Sequence, residues 1–143
     1  MENKKLIATA EVSINAPLER VWDALVNPAA IKQYMFGTTV ITDWHEGSSI
    51  IWKGEWQGKA YEDRGTILQV KPGKVLQYSH FSPLAGQPDT PENHHTVTVK
   101  LSRVENYTQV ALTQDNNSTD EARTHSEKNW GIALTAMKKF LES

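Results

Sequence analysis

The stretch from Ser118 to Leu141, S-T-D-E-A-R-T-H-S-E-K-N-W-G-I-A-L-T-A-M-K-K-F-L, constrains the fold more than any other. Ala122, Ser126, Trp130, Ala133, Leu134, Met137 and Leu141 recur at steps of three and four, which places one apolar stripe along a helix. Ser118 and Glu121 have the spacing of a capping box, in which each side chain satisfies an orphan N–H of the first turn. Asp120 and Glu121 complement the positive end of the helix dipole, and Lys138 and Lys139 the negative end. No other stretch forms so long a helix, and strand-like segments fill most of the chain before it. A one-sided helix that closes a β-rich chain buries its stripe on a sheet, so the fold class is α+β. Function turns on whether that helix packs tightly on the sheet or roofs a cavity.

The preceding segments follow in order. Leu6 to Ile14 alternates apolar and polar residues as a half-buried first strand. Asn15-Ala16-Pro17 breaks it, and Pro17 opens a short helix with Val21, Trp22, Leu25 and Val26 on one side. Asn27-Pro28 stops that helix and opens a second, Ala29 to Tyr34. Strands are expected over Val40 to Trp44, Ser49 to Trp56, Ala60 to Val70, Val75 to Phe81, His95 to Val104 and Tyr107 to Gln114. Gly65 marks a bulge or a close backbone approach within the longest of these. Lys71-Pro72-Gly73-Lys74 is a strong turn, and Ser82 to Asn93 is a long proline-containing loop. Successive hairpins favour a meandering antiparallel sheet, and a curved one wraps a helix laid on its concave face.

Composition narrows the function classes. A length of 143 residues fits one domain, 1–143, with its own core. The net charge of −2, without a basic run, gives no footprint for nucleic acid. No apolar run approaches the ~20 residues of a membrane span. The two lysines near the N-terminus precede alternating sequence instead of a signal-peptide core, so no such peptide is expected. The absence of cysteine removes disulfides, thiolate catalysis and Cys-based zinc sites, and it fits a cytoplasmic location.

Three segments carry a family resemblance. V-S-I-N-A-P-L-E-R-V-W-D-A-L-V-N-P (Val12 to Pro28) resembles the opening signature of the SRPBCC (START-like, Bet v 1-like) superfamily. Within it, the chain is most similar to the branch named after the activator of Hsp90 ATPase. G-K-A-Y-E-D-R-G-T-I-L-Q-V-K-P-G-K-V-L-Q-Y (Gly58 to Tyr78) and N-W-G-I-A-L-T-A-M-K-K-F-L-E (Asn129 to Glu142) resemble the same branch, and the match runs the length of the chain in order. The resemblance implies a helix-grip fold: a curved antiparallel sheet around a long C-terminal helix, two short helices after strand 1, and a hydrophobic cavity between. Lipid carriers, hormone receptors and cyclases share that superfamily, so fold alone does not assign the function.

Strand parity supplies a list of cavity candidates. If Leu68 and Val70 face inward, Glu62, Arg64 and Thr66 share their side. By the same rule His80 goes with Leu76 and Tyr78, His95 with Val97 and Val99, and Trp52 and Trp56 with Ile50. The candidate ligand residues are therefore Trp52, Trp56, Glu62, Arg64, Tyr78, His80 and His95 from the strands, with Asn129, Trp130 and Ala133 from the helix. A few convergent polar groups in an aromatic wall suit a small molecule. Glu62 and Arg64 carry a second reading, in which they pair with each other or face solvent at the sheet rim. Trp130 reads equally as core or cavity wall, and Trp22 as packing between helix and sheet. The small residues Ser126 and Ala133, where leucine would pack better, fit a roof over a space. Tyr34-Met35-Phe36-Gly37 and the loop Ser82 to Asn93 are placed at its mouth.

The leading reading is a binder of a small, largely apolar or amphipathic molecule, with no cofactor and no catalytic residue assigned. Adjacent His94 and His95 point to opposite faces of a strand, so no metal site is expected from them. An alternative taken from the resemblance is a module with an Hsp90-type chaperone as partner. A further alternative is a cyclase- or hydrolase-type enzyme, with Glu62 and His95 as the best acid–base candidates. Both a monomer and a homodimer are compatible with the sequence.

Overall fold

The computed structural model describes residues 6–56, 58–82, 88–90 and 93–142; the Trp56 side chain and the remaining positions lie outside that set. The elements in chain order are β1 (Ala8–Ile14), α1 (Leu18–Val26), α2 (Pro28–Tyr34), β2 (Thr39–Ile41), β3 (Ser49–Trp56), β4 (Lys59–Lys71), β5 (Val75–His80), β6 (His95–Val104), β7 (Tyr107–Gln114) and α3 (Asp120–Glu142). The strands form one antiparallel sheet in the order β1-β7-β6-β5-β4-β3-β2. The expected α+β helix-grip architecture is the observed one: a curved seven-stranded sheet, two short helices after the first strand, and a long C-terminal helix.

Local chemistry explains the boundaries. Pro17 stands at the N-cap of α1, one position earlier than expected, and its carbonyl accepts from the Arg20 and Val21 N–H groups. Asn27 both ends α1 and caps α2, its side-chain oxygen accepting from Ala29 N–H at 3.0 Å, with Pro28 at the first helical position. β2 stops at Ile41, short of the expected Trp44, which sits at φ 62°. The cap of α3 also differs from expectation. Thr119, not Ser118, accepts from Ala122 N–H at 3.0 Å, so the third helical residue is Ala122 and no carboxylate stands there to complete a capping box.

The core lies between the concave face of the sheet and the three helices. Ile14, Val21, Ile67, Val97, Val110 and Met137 are all fully buried there. The stripe of α3 is as expected along its C-terminal half, where Ala133, Leu134, Met137 and Leu141 are buried. Its side chains also serve the open edge of the sheet. Glu127 accepts from Thr9 N–H, Glu142 accepts from Asn15 N–H, and Lys138 donates to Ser13 C=O, all backbone groups of β1 or its exit. Such pairing blunts an edge that would otherwise offer free backbone groups.

Two irregularities shape β4. Its pairing with β5 shifts register between Ile67 and Gln69, so Leu68 is the extra residue of a bulge. Gly65 makes the close approach that its identity suggests: a Cβ there would lie 1.8 Å from the Ser79 carbonyl oxygen. Beside it, Arg64 and Phe81 exchange backbone hydrogen bonds in an isolated bridge.

Candidate functional site

Beneath α3 the sheet is not completely filled. An apolar gap of about 50 Å³ remains, lined among others by Leu25, Trp52, Tyr78, Trp130, Ala133 and Met137. Residues from α1, β3, β5 and α3 thus meet around one space. A water molecule needs roughly 10–15 Å³ on this measure, so the gap is narrow, whereas sites for drug-sized ligands run to roughly 300–1,000 Å³. A second depression of about 410 Å³ lies between α1, α2 and the end of α3, beside Arg20, Asp23, Asn27, Gln33 and Phe140. It is larger, but it is a surface groove with no cluster of buried polar groups facing it.

A polar cluster adjoins the gap through Trp52. Trp52 faces Asp63 across β3 and β4, so their side chains share the concave face. The Trp52 ring lies 5.2 Å from that of Tyr78 and 5.0 Å, edge to face, from that of His80. His80 and His95 are partners across β5 and β6, with ring centroids 6.3 Å apart. Asp63 Oδ2 is 2.9 Å from His80 Nε2. A carboxylate only accepts, so the imidazole donates through Nε2. His95 Nδ1 lies 2.9 Å from the Asp115 carbonyl oxygen and donates to it for the same reason. Burial is the main cause that holds His95 below the usual histidine range, and the Asp115 carbonyl opposes it. Burial likewise raises the Tyr78 phenol.

One atom of this cluster is unsatisfied. Asp63 Oδ1 is buried without a hydrogen-bond partner among the described residues. An unpaired buried acceptor costs about 1–3 kcal/mol, so such an atom calls for an explanation. At the α3 side, Trp130 N–H donates to the Gln114 side-chain oxygen at 2.7 Å. The Gln114 amide donates in turn to Ser126 Oγ and Asn117 Oδ1, which engages Ser126 in a polar network instead of leaving it against the gap.

The candidate residues thus separate. Trp52, Tyr78, Trp130 and Ala133 line the gap; His80 and His95 do not, but the His80 ring packs against Trp52 and His95 lies next to His80. Glu62 and Arg64 do not: their side chains are 52% and 53% exposed, beside Lys53 and Asp89 respectively. The parity that placed them inward was carried back from Val70 through Leu68, and the bulge at Leu68 inverts it. Ile67 is buried and Leu68 exposed, so Tyr61, Asp63 and Gly65 take the inner face. Asn129 is exposed, on the outer side of the Trp130 turn. The Trp56 side chain lies outside the described residues, as does much of the loop expected at the mouth.

Asp63 and Gln114 were missing from the sequence reading. Adjacent Ile67 and Leu68 made both parities of β4 available; counting back from Ile67 would have found Asp63. His94 turns away from His95, pairing with Asp89 at 2.6 Å and stacking on Phe81. Among the described residues no group of three or more His, Cys, Asp or Glu side chains is placed to hold a metal ion, and no helix is long and apolar enough to cross a membrane.

Comparison with known proteins places this geometry among relatives. A family model described as activator of Hsp90 ATPase homolog 1-like protein matches residues 15–142. The solution structure of ChR145 from Cytophaga hutchinsonii is 61% identical, with 99% of this chain and 97% of that one covered at a TM-score of 0.86. The Aha1 dimer from Colwellia psychrerythraea is 23% identical, covering 95% and 96% of the two chains at a TM-score of 0.73. CalU16 from Micromonospora echinospora is 21% identical, covering 92% and 73% at a TM-score of 0.73. The last two are likenesses of fold. Among curated proteins, none matches the chain.

Proposed function

The chain belongs to the activator of Hsp90 ATPase homolog 1-like family, and on that premise we propose that it binds a small, largely apolar molecule between the sheet and α3. The observation that carries this reading is the apolar gap at Trp130 and Ala133, with Asp63, His80 and His95 grouped next to its Trp52 wall. An apolar wall supplies affinity by burying ligand surface, and a few fixed polar groups supply orientation. A small molecule is favoured over a chaperone partner because Trp52, Tyr78, Trp130 and Ala133 turn their side chains to an interior gap, not to an exposed face.

The width of the gap adds a condition. A ligand of more than a few heavy atoms enters by displacing α3 or the Trp130 ring outward, so binding couples to a conformational opening. The free energy of that opening is subtracted from the apparent affinity.

Native mass spectrometry of freshly purified protein tests the reading through a co-purified small molecule, and an added apolar probe followed by tryptophan fluorescence tests it directly. Ala133→Leu, which pushes a larger side chain into the gap, is expected to weaken probe binding about tenfold or more while leaving the fold intact. Unchanged binding in a folded Ala133→Leu protein would locate the ligand elsewhere and sink the reading.

A further inference from the structure

We propose that the Asp63–His80–His95 group is a head-group subsite, one acceptor of which takes the hydrogen bond of a hydroxyl, alcoholic or phenolic, on an otherwise apolar ligand, and that it rejects a carboxylate head. This rests on the preceding reading that the ligand lies beneath α3, and it specifies the ligand's chemical class.

The argument is a count of donors and acceptors. His80 spends its Nε2–H on Asp63 Oδ2. A neutral imidazole has one N–H, so His80 Nδ1 is left as an acceptor. His95 spends its Nδ1–H on the Asp115 carbonyl, so its Nε2 is the acceptor of the neutral ring. Neither of these two nitrogens has a hydrogen-bond partner among the described residues, and Asp63 Oδ1 has none either. Three acceptor atoms therefore remain on this group, which adjoins the gap through Trp52, and its own imidazole donors are spent. Each donor is already committed to an oxygen of the protein.

The neighbours set the rest of the preference. Trp52 and Tyr78 join the polar group to the gap, presenting flat apolar surface next to the acceptors. A hydroxyl on a ring or chain lying against them meets an acceptor, and at the buried Asp63 Oδ1 an unmade hydrogen bond is expensive. A carboxylate head meets the like charge of the Asp63 carboxylate and two acceptor nitrogens. The site thus discriminates by chemistry that apolar contact alone does not supply.

The experiment uses the whole protein at pH 8.5 and three probes of one shape: naphthalene, 2-naphthol and 2-naphthoate. Affinities come from the quenching of tryptophan fluorescence. Naphthol is expected to bind about tenfold more tightly than naphthalene, the effect of one well-made hydrogen bond, and naphthoate more weakly than either. In wild-type protein the imidazole Cε1–H resonances of His80 and His95 are expected to move with naphthol and to move much less with naphthalene. His95→Phe, and separately Asp63→Asn, are expected to abolish the naphthol preference, so that naphthol and naphthalene bind alike. Equal affinity for naphthol and naphthalene in the wild type overturns the subsite and leaves the apolar site standing. Tighter binding of naphthoate than of naphthol also overturns it. Failure of all three probes to bind overturns the subsite together with the binding reading beneath it. The wild-type probe series needs no variant to fold, so the outcome is decided even if a substitution is not tolerated.

Discussion

Gly65 is the position where β4 comes closest to β5. The 1.8 Å separation between a built Cβ and the Ser79 carbonyl oxygen involves backbone, which has no rotamer to yield. Gly65→Ala is therefore expected to destabilise the protein by ~3 kcal/mol, measured as a lowered urea midpoint; an unchanged midpoint would mean that the strands part at no cost. His95 gives a pH-dependent expectation. Burial holds its folded pKa below the ordinary value of about 6.5. As pH falls through that ordinary value, the unfolded chain takes up a proton that the folded ring resists, so stability falls toward the folded pKa and rises again as pH climbs to 7. In urea titrations across that window, His95→Gln is expected to flatten the slope of stability against pH. A slope that persisted would belong to another group. At this scale the sequence was only partly legible. Gly65 announced a close approach because no other residue tolerates one. Asp63 stayed hidden because nothing in the pair Ile67-Leu68 tells which of two adjacent aliphatics the interior takes.

At the scale of elements, α3 was the clearest reading, since a stripe repeating every three to four residues has one physical solution on a sheet. Its ends were less legible. Ser118 and Thr119 are both competent caps, and the geometry selects Thr119. Thr119→Ala is expected to cost ~1 kcal/mol in thermal or urea unfolding, while Ser118→Ala stays within about 0.5 kcal/mol. Equal losses from the two would reinstate Ser118. The role of α3 toward β1 was also invisible in the sequence. In the sequence Lys138 reads only as a complement to the helix dipole, and Glu127 and Glu142 carry no assigned role, yet all three bond backbone groups of Thr9, Ser13 and Asn15 more than a hundred residues away in the chain. Only the tertiary arrangement brings those groups within reach.

At the scale of the whole molecule, the fold was legible because every level pointed the same way: alternating strands, turn residues between them, one long amphipathic helix, and a resemblance running from end to end. The candidate site was legible where it depended on residues whose face is fixed by neighbours on both sides, such as Trp52, Tyr78, His80 and Trp130. It was not legible where a single extra residue intervened. That residue, Leu68, acts on β4 as an insertion acts on a reading frame. Upstream of it the strand holds two interleaved messages, Tyr61-Asp63-Gly65 and Glu62-Arg64-Thr66, and the bulge decides which one the interior reads. Deletion of Leu68 is expected to remove the bulge and leave Ile67 and Gln69 pairing as successive residues with Tyr78 and Gln77, so that plain alternation back from Val70 places Ile67, Gly65 and Asp63 on the inner face they already hold.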